Sequence, residues 1–166
     1  MAKTLVAPGA HIIGDVTFGE GCSVWYNAVV RGDEQPITIG DYTNIQDNAV
    51  IHVDPTHSAT IGDRVTIGHG AVVHGATVGN NTVIGMGAVV LNGARIGENC
   101  IVAAGAVVPE GRKVHDGTIV YGNPSRKLRE MTPKDIEDNI TNADHYWELA
   151  QGQPVAWEIS EFGSAS

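Results

Sequence analysis

An aliphatic residue returns at every sixth position through most of this 166-residue chain. The rungs read Ile13, Phe18, Val24, Val30, Ile39, Ile45, Ile51, Ile61, Ile67, Val73, Val78, Ile84, Val90, Ile96, Val102 and Val108. The fourth residue after a rung is small, as at Ala28, Ala49, Ala71, Ala88 and Ala106, and glycine often follows the rung directly. A six-residue period fits neither the 3.6-residue repeat of a helix nor the alternation of a long strand. It predicts a short strand and a tight corner, stacked as an all-β parallel solenoid that buries each rung against the units above and below. Glycine after the rung suits corners where a side chain is strained.

This pattern resembles the hexapeptide-repeat, left-handed parallel β-helix proteins. The resemblance implies triangular coils with three hexapeptides per turn, and so about five coils here. On that frame the irregular steps, Ile13 to Phe18, Val30 to Ile39, Ile51 to Ile61 and Val73 to Val78, all fall at one corner. The two long steps predict loops at 32–38 and 53–60, where a rigid scaffold tends to carry function.

The same arithmetic places three histidines. His52 and His74 each follow a rung directly, and their rungs are three apart, so they stack on successive coils, with Arg31 one coil earlier. Strands spaced about 4.8 Å apart let two leaning rings approach the roughly 3.3 Å that separates two nitrogens on a tetrahedral zinc ion. His69 sits two residues after Ile67, on another face above Asp47, and does not reach the same ion within one triangle. A trimer of parallel prisms satisfies all three, with one subunit giving His52 and His74 and its neighbour giving His69. His11, His115 and His145 lie outside this register.

Length fits one core. The net charge of −9 argues against nucleic acid or an anionic membrane as partner. No stretch is long enough to span a bilayer, and the first residues carry no secretory pattern, so a cytoplasmic location is expected. Cys22 and Cys100 occupy the same inward slot four coils apart, on the order of 19 Å at the strand spacing, too far for a disulfide. A β-helix domain is expected over 1–125, with a C-terminal helix and tail packing on the prism over 126–166. Thr132-Pro133 opens that helix, and Ile136, Ile140, Ala143 and Trp147 mark its apolar stripe to about Ala150. The tail from Gln151 shows no pattern.

Taken together, Arg31-Gly32-Asp33, Asn44-Ile45-Gln46-Asp47-Asn48, His52 and Gly68-His69-Gly70-Ala71-Val72-Val73-His74-Gly75 resemble the γ-class carbonic anhydrases over about residues 10–125. The resemblance implies a homotrimer with metal sites at the subunit interfaces. His52, His69 and His74 would hold Zn²⁺, with Fe²⁺ or Co²⁺ as alternatives that three imidazoles also accept. Arg31 and Asp33 would form an ion pair linking subunits, and Gln46 and Asp47 would orient metal-bound water or bicarbonate. The implied reaction is reversible hydration of CO₂ to bicarbonate by a metallo-lyase, in which a metal-bound hydroxide is the nucleophile. Glu34 matches a residue near the family's active site that serves proton transfer; His57, an imidazole in the second long step, is a second candidate that the resemblance does not imply. The segment after His52 is only Val53-Asp54-Pro55-Thr56-His57, without the acidic shuttle loop of the most active type, which places the chain with the short-loop branch.

Two other functions share this fold. Coenzyme A-dependent acyltransferases use one histidine as base rather than three in metal register. An inert trimeric protein would keep the metal as a staple. Metal content, coenzyme A binding and CO₂ hydration separate the three.

Overall fold

The computed structural model describes residues 2–153 and 157–162. It is the left-handed parallel β-helix expected, of about six turns, with one helix after it. Three stacks of rungs run its length. The first holds Val6, Val24, Ile45, Ile67, Ile84, Val102 and Val120. The second holds Ile12, Val30, Ile51, Val73, Val90 and Val108. The third holds Phe18, Ile39, Ile61, Val78, Ile96 and Val114. Nearly all are buried in one continuous core with the small residues of the corners. Each such side chain contributes roughly 1.5–3 kcal/mol on leaving water. No helix among the described residues is long and apolar enough to cross a membrane.

Two corrections concern the frame. The first rung of the second stack is Ile12, opposite Val30, whereas Ile13 is exposed and lies opposite Arg31. The step to Phe18 is therefore regular, and the irregular steps that remain still share the corner between the second and third stacks. The repeat also makes about six turns rather than five, because Val114 and Val120 continue it past Val108.

Of the two expected loops, 32–38 is not one. The strand Val29–Ile39 runs unbroken through it, paired with His11–Phe18 across a bulge between Gly14 and Val16. Segment 53–60 does loop out, closed by an isolated bridge between Asp54 and His57.

The corners explain the glycines differently from strain. The residue in the left-handed region is the third after the rung, as at Asn27, Asn48, Gly70, Gly87 and Gly105, and also at Tyr42 and Arg64. Glycine directly after the rung is needed because the next coil is too close. A Cβ on Gly79 would lie 2.6 Å from the carbonyl carbon of Gly97 and 2.7 Å from the nitrogen of Glu98. Beside it runs a ladder in which Asp41, Asp63 and Asp116 carboxylates and the Asn80 carbonyl accept backbone N–H groups at 2.8 Å. Turn-forming side chains thus satisfy the backbone between coils.

The helix Pro133–Gln151 is capped by Thr132 and Asp135 in a reciprocal capping box. It packs on the first stack through Asn139, Ala143 and Ala150, while Ile140 is exposed, so the expected stripe is rotated. Polar contacts set that rotation. Asn139 Nδ2 donates to the carbonyls of Asn81 and Cys100 at 3.0 and 3.3 Å, and Asn142 Nδ2 to Thr66 Oγ1 at 3.0 Å. Strand Glu158–Phe162 pairs antiparallel with Ala2–Val6, and Trp157 stacks edge-on against Trp25 at 4.8 Å.

Candidate metal centre

His52 and His74 lie directly opposite each other on adjacent coils, with Arg31 opposite His52 on the coil before. His52 Nδ1 and His74 Nε2 face each other at 3.0 Å. Each ring's other nitrogen is held. His52 Nε2 is 3.0 Å from Asp33 Oδ1, and Arg31 pairs with the second oxygen of Asp33 within the same chain. The hydrogen bond from His52, with that from Arg31, holds the Asp33 carboxyl below its usual range.

His74 Nδ1 meets Asn92 Oδ1 at 2.5 Å, and Asn92 Nδ2 meets Asp54 Oδ2 at 2.5 Å. A carboxylate only accepts, so the Asn92 amide must donate to Asp54 and turn its carbonyl to His74. His74 therefore carries its proton on Nδ1 and presents a bare Nε2. By the same reasoning His52 donates through Nε2 to Asp33, and as a neutral imidazole it presents a bare Nδ1. In the neutral rings two lone pairs then meet at 3.0 Å, a contact that needs a cation between them, either a proton or a metal ion. This donor set fits a divalent transition metal, whose histidine ligands commonly donate their second N–H to such partners.

Asp54 anchors one side of the arrangement. Its Oδ1 accepts from Thr56 N, Thr56 Oγ1 and His57 N at 2.8, 2.9 and 2.8 Å. These bonds, the Thr56 N–H first, push its carboxyl far below the ordinary range. His57 Nδ1 also contacts Asp54, at 3.0 Å, and Gln35 Nε2 ties the loop to the neighbouring strand through Pro55 O at 2.9 Å. Glu34, beside Asp33, is exposed.

His69 sits at a different corner, two residues after its first-stack rung and above Asp47. Its Nδ1 lies 2.9 Å from Asp47 Oδ2, which leaves Nε2 bare and facing the Tyr146 hydroxyl at 3.5 Å. Burial, and then the Asp47 charge, push the Tyr146 phenol up. Tyr146 is held there by its edge-on contact with Trp25 at 5.3 Å, so it both packs the helix and reaches the site. Gln46 is buried, accepting from His69 N at 3.2 Å and donating to Asn44 Oδ1 at 3.1 Å. A cavity of about 410 Å³ opens beside these residues, bounded by Gln46, His69, Met86, Asn142 and Tyr146.

The chain thus gathers its candidate residues into two groups. Arg31, Asp33, His52 and His74 form one, and Gln46, Asp47 and His69 the other. Among the described residues no three histidine, cysteine, aspartate or glutamate side chains converge as a metal cage. Sequence reasoning missed Asn92 and Asp54. Asn92 follows Val90 by two, in register with Gly75, the residue after His74, but an asparagine at a corner reads first as a turn former.

Residues 75–110 match the family described as bacterial transferase hexapeptide (six repeats). A protein of Methanocaldococcus jannaschii, provisionally named a carbonic anhydrase, is 49% identical over 88% of this chain and 92% of its own. The gamma carbonic anhydrase 1, mitochondrial, of Arabidopsis thaliana is 44% identical over 90% of this chain, which spans 56% of that longer protein. Among solved structures, a Bacillus cereus protein provisionally named an acetyltransferase superposes with a TM-score of 0.88 at 37% identity, over 90% of this chain and 87% of that one. With the rungs and corners described above, the chain belongs to the γ-class carbonic anhydrase family of hexapeptide-repeat proteins.

Proposed function

We propose that this protein catalyses the reversible hydration of CO₂ to bicarbonate at a metal ion shared between subunits of a homotrimer. His52 and His74 of one subunit and the partner subunit's His69 would hold the ion, Zn²⁺ by preference with Fe²⁺ or Co²⁺ as alternatives. The observation that carries this reading is the facing of His52 Nδ1 and His74 Nε2 at 3.0 Å, with the outer nitrogen of each ring bonded elsewhere. A third bare nitrogen, on His69, lies at another corner of the prism, where a parallel neighbour would bring it to the pair.

When bound, the ion supplies a Lewis-acid centre that lowers the pKa of water to about 7. The chain's own residues do the rest. Asp33 and Asp47 hold the His52 and His69 imidazoles in the tautomers that expose their lone pairs. Gln46 is fixed by Asn44 and the His69 backbone, so its amide offers a preset hydrogen bond to water or bicarbonate beside His69. Asp47 fixes His69 and adds negative charge there. Arg31 neutralises Asp33 and keeps it an acceptor, and the pair lies where a neighbouring subunit would pack. Glu34, exposed beside Asp33, is placed to pass a proton to bulk solvent.

The test is stopped-flow CO₂ hydration on protein purified anaerobically and loaded with zinc or ferrous iron, beside His74→Ala. A rate well above buffer that vanishes in the variant supports the proposal. Bound metal without hydration by either form would leave a structural staple. Coenzyme A binding measured on the same sample addresses the acyltransferase reading, which the shared prism alone supports.

A further inference from the structure

We propose that Asn92 is a positioning residue for the metal centre, and that the 53–60 loop exists in this chain to set the direction of its amide through Asp54. The inference rests on the metal-site reading above but concerns residues with no place in it from the sequence. Three features support it.

The first is the polarity of the chain of contacts. Asp54 Oδ1 is fully engaged by the turn that it closes, at Thr56 N, Thr56 Oγ1 and His57 N. Only Oδ2 points at Asn92, and it accepts Asn92 Nδ2. The Asn92 carbonyl is then forced toward His74 Nδ1. Reversing the amide would set a carbonyl against a carboxylate and an NH₂ against an imidazole N–H. One direction of the amide is allowed, so one tautomer of His74 is allowed.

The second is the route. The loop leaves the barrel immediately after His52, yet its carboxylate reaches Asn92, two coils further along. The ten-residue step from Ile51 to Ile61 thereby couples the segment after one ligand to the ring of the other. The third is room. Gly75 lies in the left-handed region, and a Cβ there would come within 2.8 Å of Asn92 Oδ1 and 2.7 Å of His57 Cβ, so the residue after His74 is bare where these two side chains close in.

In this chain the short loop therefore holds a ligand; its carboxylate is committed to hydrogen bonds. Removing such an outer partner typically costs roughly 10–100-fold in metal affinity.

The experiment has two readouts on metal-free and zinc-titrated protein. Long-range ¹H–¹⁵N correlation of histidine-labelled, metal-free protein reports which nitrogen of His74 carries the proton. Competitive chelator titration reports zinc affinity. Asn92→Leu keeps the volume and loses the acceptor. It is expected to lose the single Nδ1–H form of His74 and to weaken zinc binding roughly 10–100-fold, with the His69 signals unchanged. The exchange Asp54→Asn with Asn92→Asp reverses donor and acceptor across their one contact and keeps an acceptor on His74. It is expected to restore the tautomer and most of the affinity, which a packing role would not. A leucine variant that keeps both tautomer and affinity overturns the proposal. If that variant does not fold, the exchanged pair decides: loss of the tautomer in a folded protein refutes the relay. If the unsubstituted protein binds no zinc, the metal-centre reading fails, while the tautomer measurement still decides the role of Asn92.

Discussion

His52 and His74 hold the same register position on adjacent coils, and their facing nitrogens are 3.0 Å apart. The solenoid makes that approach possible, because coils at strand spacing bring like positions together without any loop to order. The placement of this histidine pair is thus a consequence of the repeat.

The register argument distinguishes histidines that look alike in sequence. His74→Ala is expected to lower zinc affinity by roughly 100-fold or more, since it removes a ligand outright where loss of an outer partner alone costs about 10–100-fold. His115→Ala, outside the register, is expected to leave affinity within about twofold. Chelator competition on both proteins checks this.

The glycines of the corners fall into two classes with different costs. Gly79→Ala places a Cβ against the backbone of the next coil and is expected to destabilise by about 2–3 kcal/mol, as overpacking does. Gly105 has a positive φ but nothing within 4 Å of a built Cβ, so Gly105→Ala is expected to cost about 1 kcal/mol. Urea unfolding midpoints rank them.

Both thiols are expected to be silent in the folded protein. Burial pushes the Cys22 thiol up to about 12, and burial raises Cys100 as well. Their hydrogens point to carbonyls, Cys22 Sγ to Gly40 O at 3.0 Å and Cys100 Sγ to His115 O at 3.2 Å. A thiol-reactive chromophore at pH 8 should label neither until denaturant is added, and then both.

The helix cap should show in acid. Arg129, then the Thr132 backbone N–H, holds the Asp135 carboxyl far below its ordinary range. A depressed folded value means that the contribution is complete above the unfolded carboxyl pKa near 3.9 and is lost as pH falls through the lower folded value. Asp135→Asn should therefore melt at lower temperature than the parent at pH 7, and the gap should narrow below about pH 4. Thermal melts followed by helical circular dichroism at the two pH values test it.

The sequence carried the solenoid because every rung but Phe18 is aliphatic and every step is counted. It misplaced the first rung because Ile12 and Ile13 are both aliphatic, and only pairing with Val30 separates them. It put the helix stripe on Ile140, since hydrophobicity does not show that Asn139 would bond two carbonyls of the barrel. The antiparallel strand Glu158–Phe162 left no hexapeptide mark to read. The facing of His52 and His74 was legible because each follows its rung directly and the two rungs are three apart. Asn92 was not, because its role comes from the loop that closes on it.

Subunit complementation tests the shared site most directly. His69→Ala and His74→Ala proteins should each be inactive in CO₂ hydration, since each removes one ligand from every site. Mixed by unfolding and refolding together at equal amounts, they should regain about a quarter of the parental activity and metal content, because every mixed trimer closes with one intact junction. A mixture as inactive as its parents, with mixed trimers shown to form, would contradict a metal site completed between subunits.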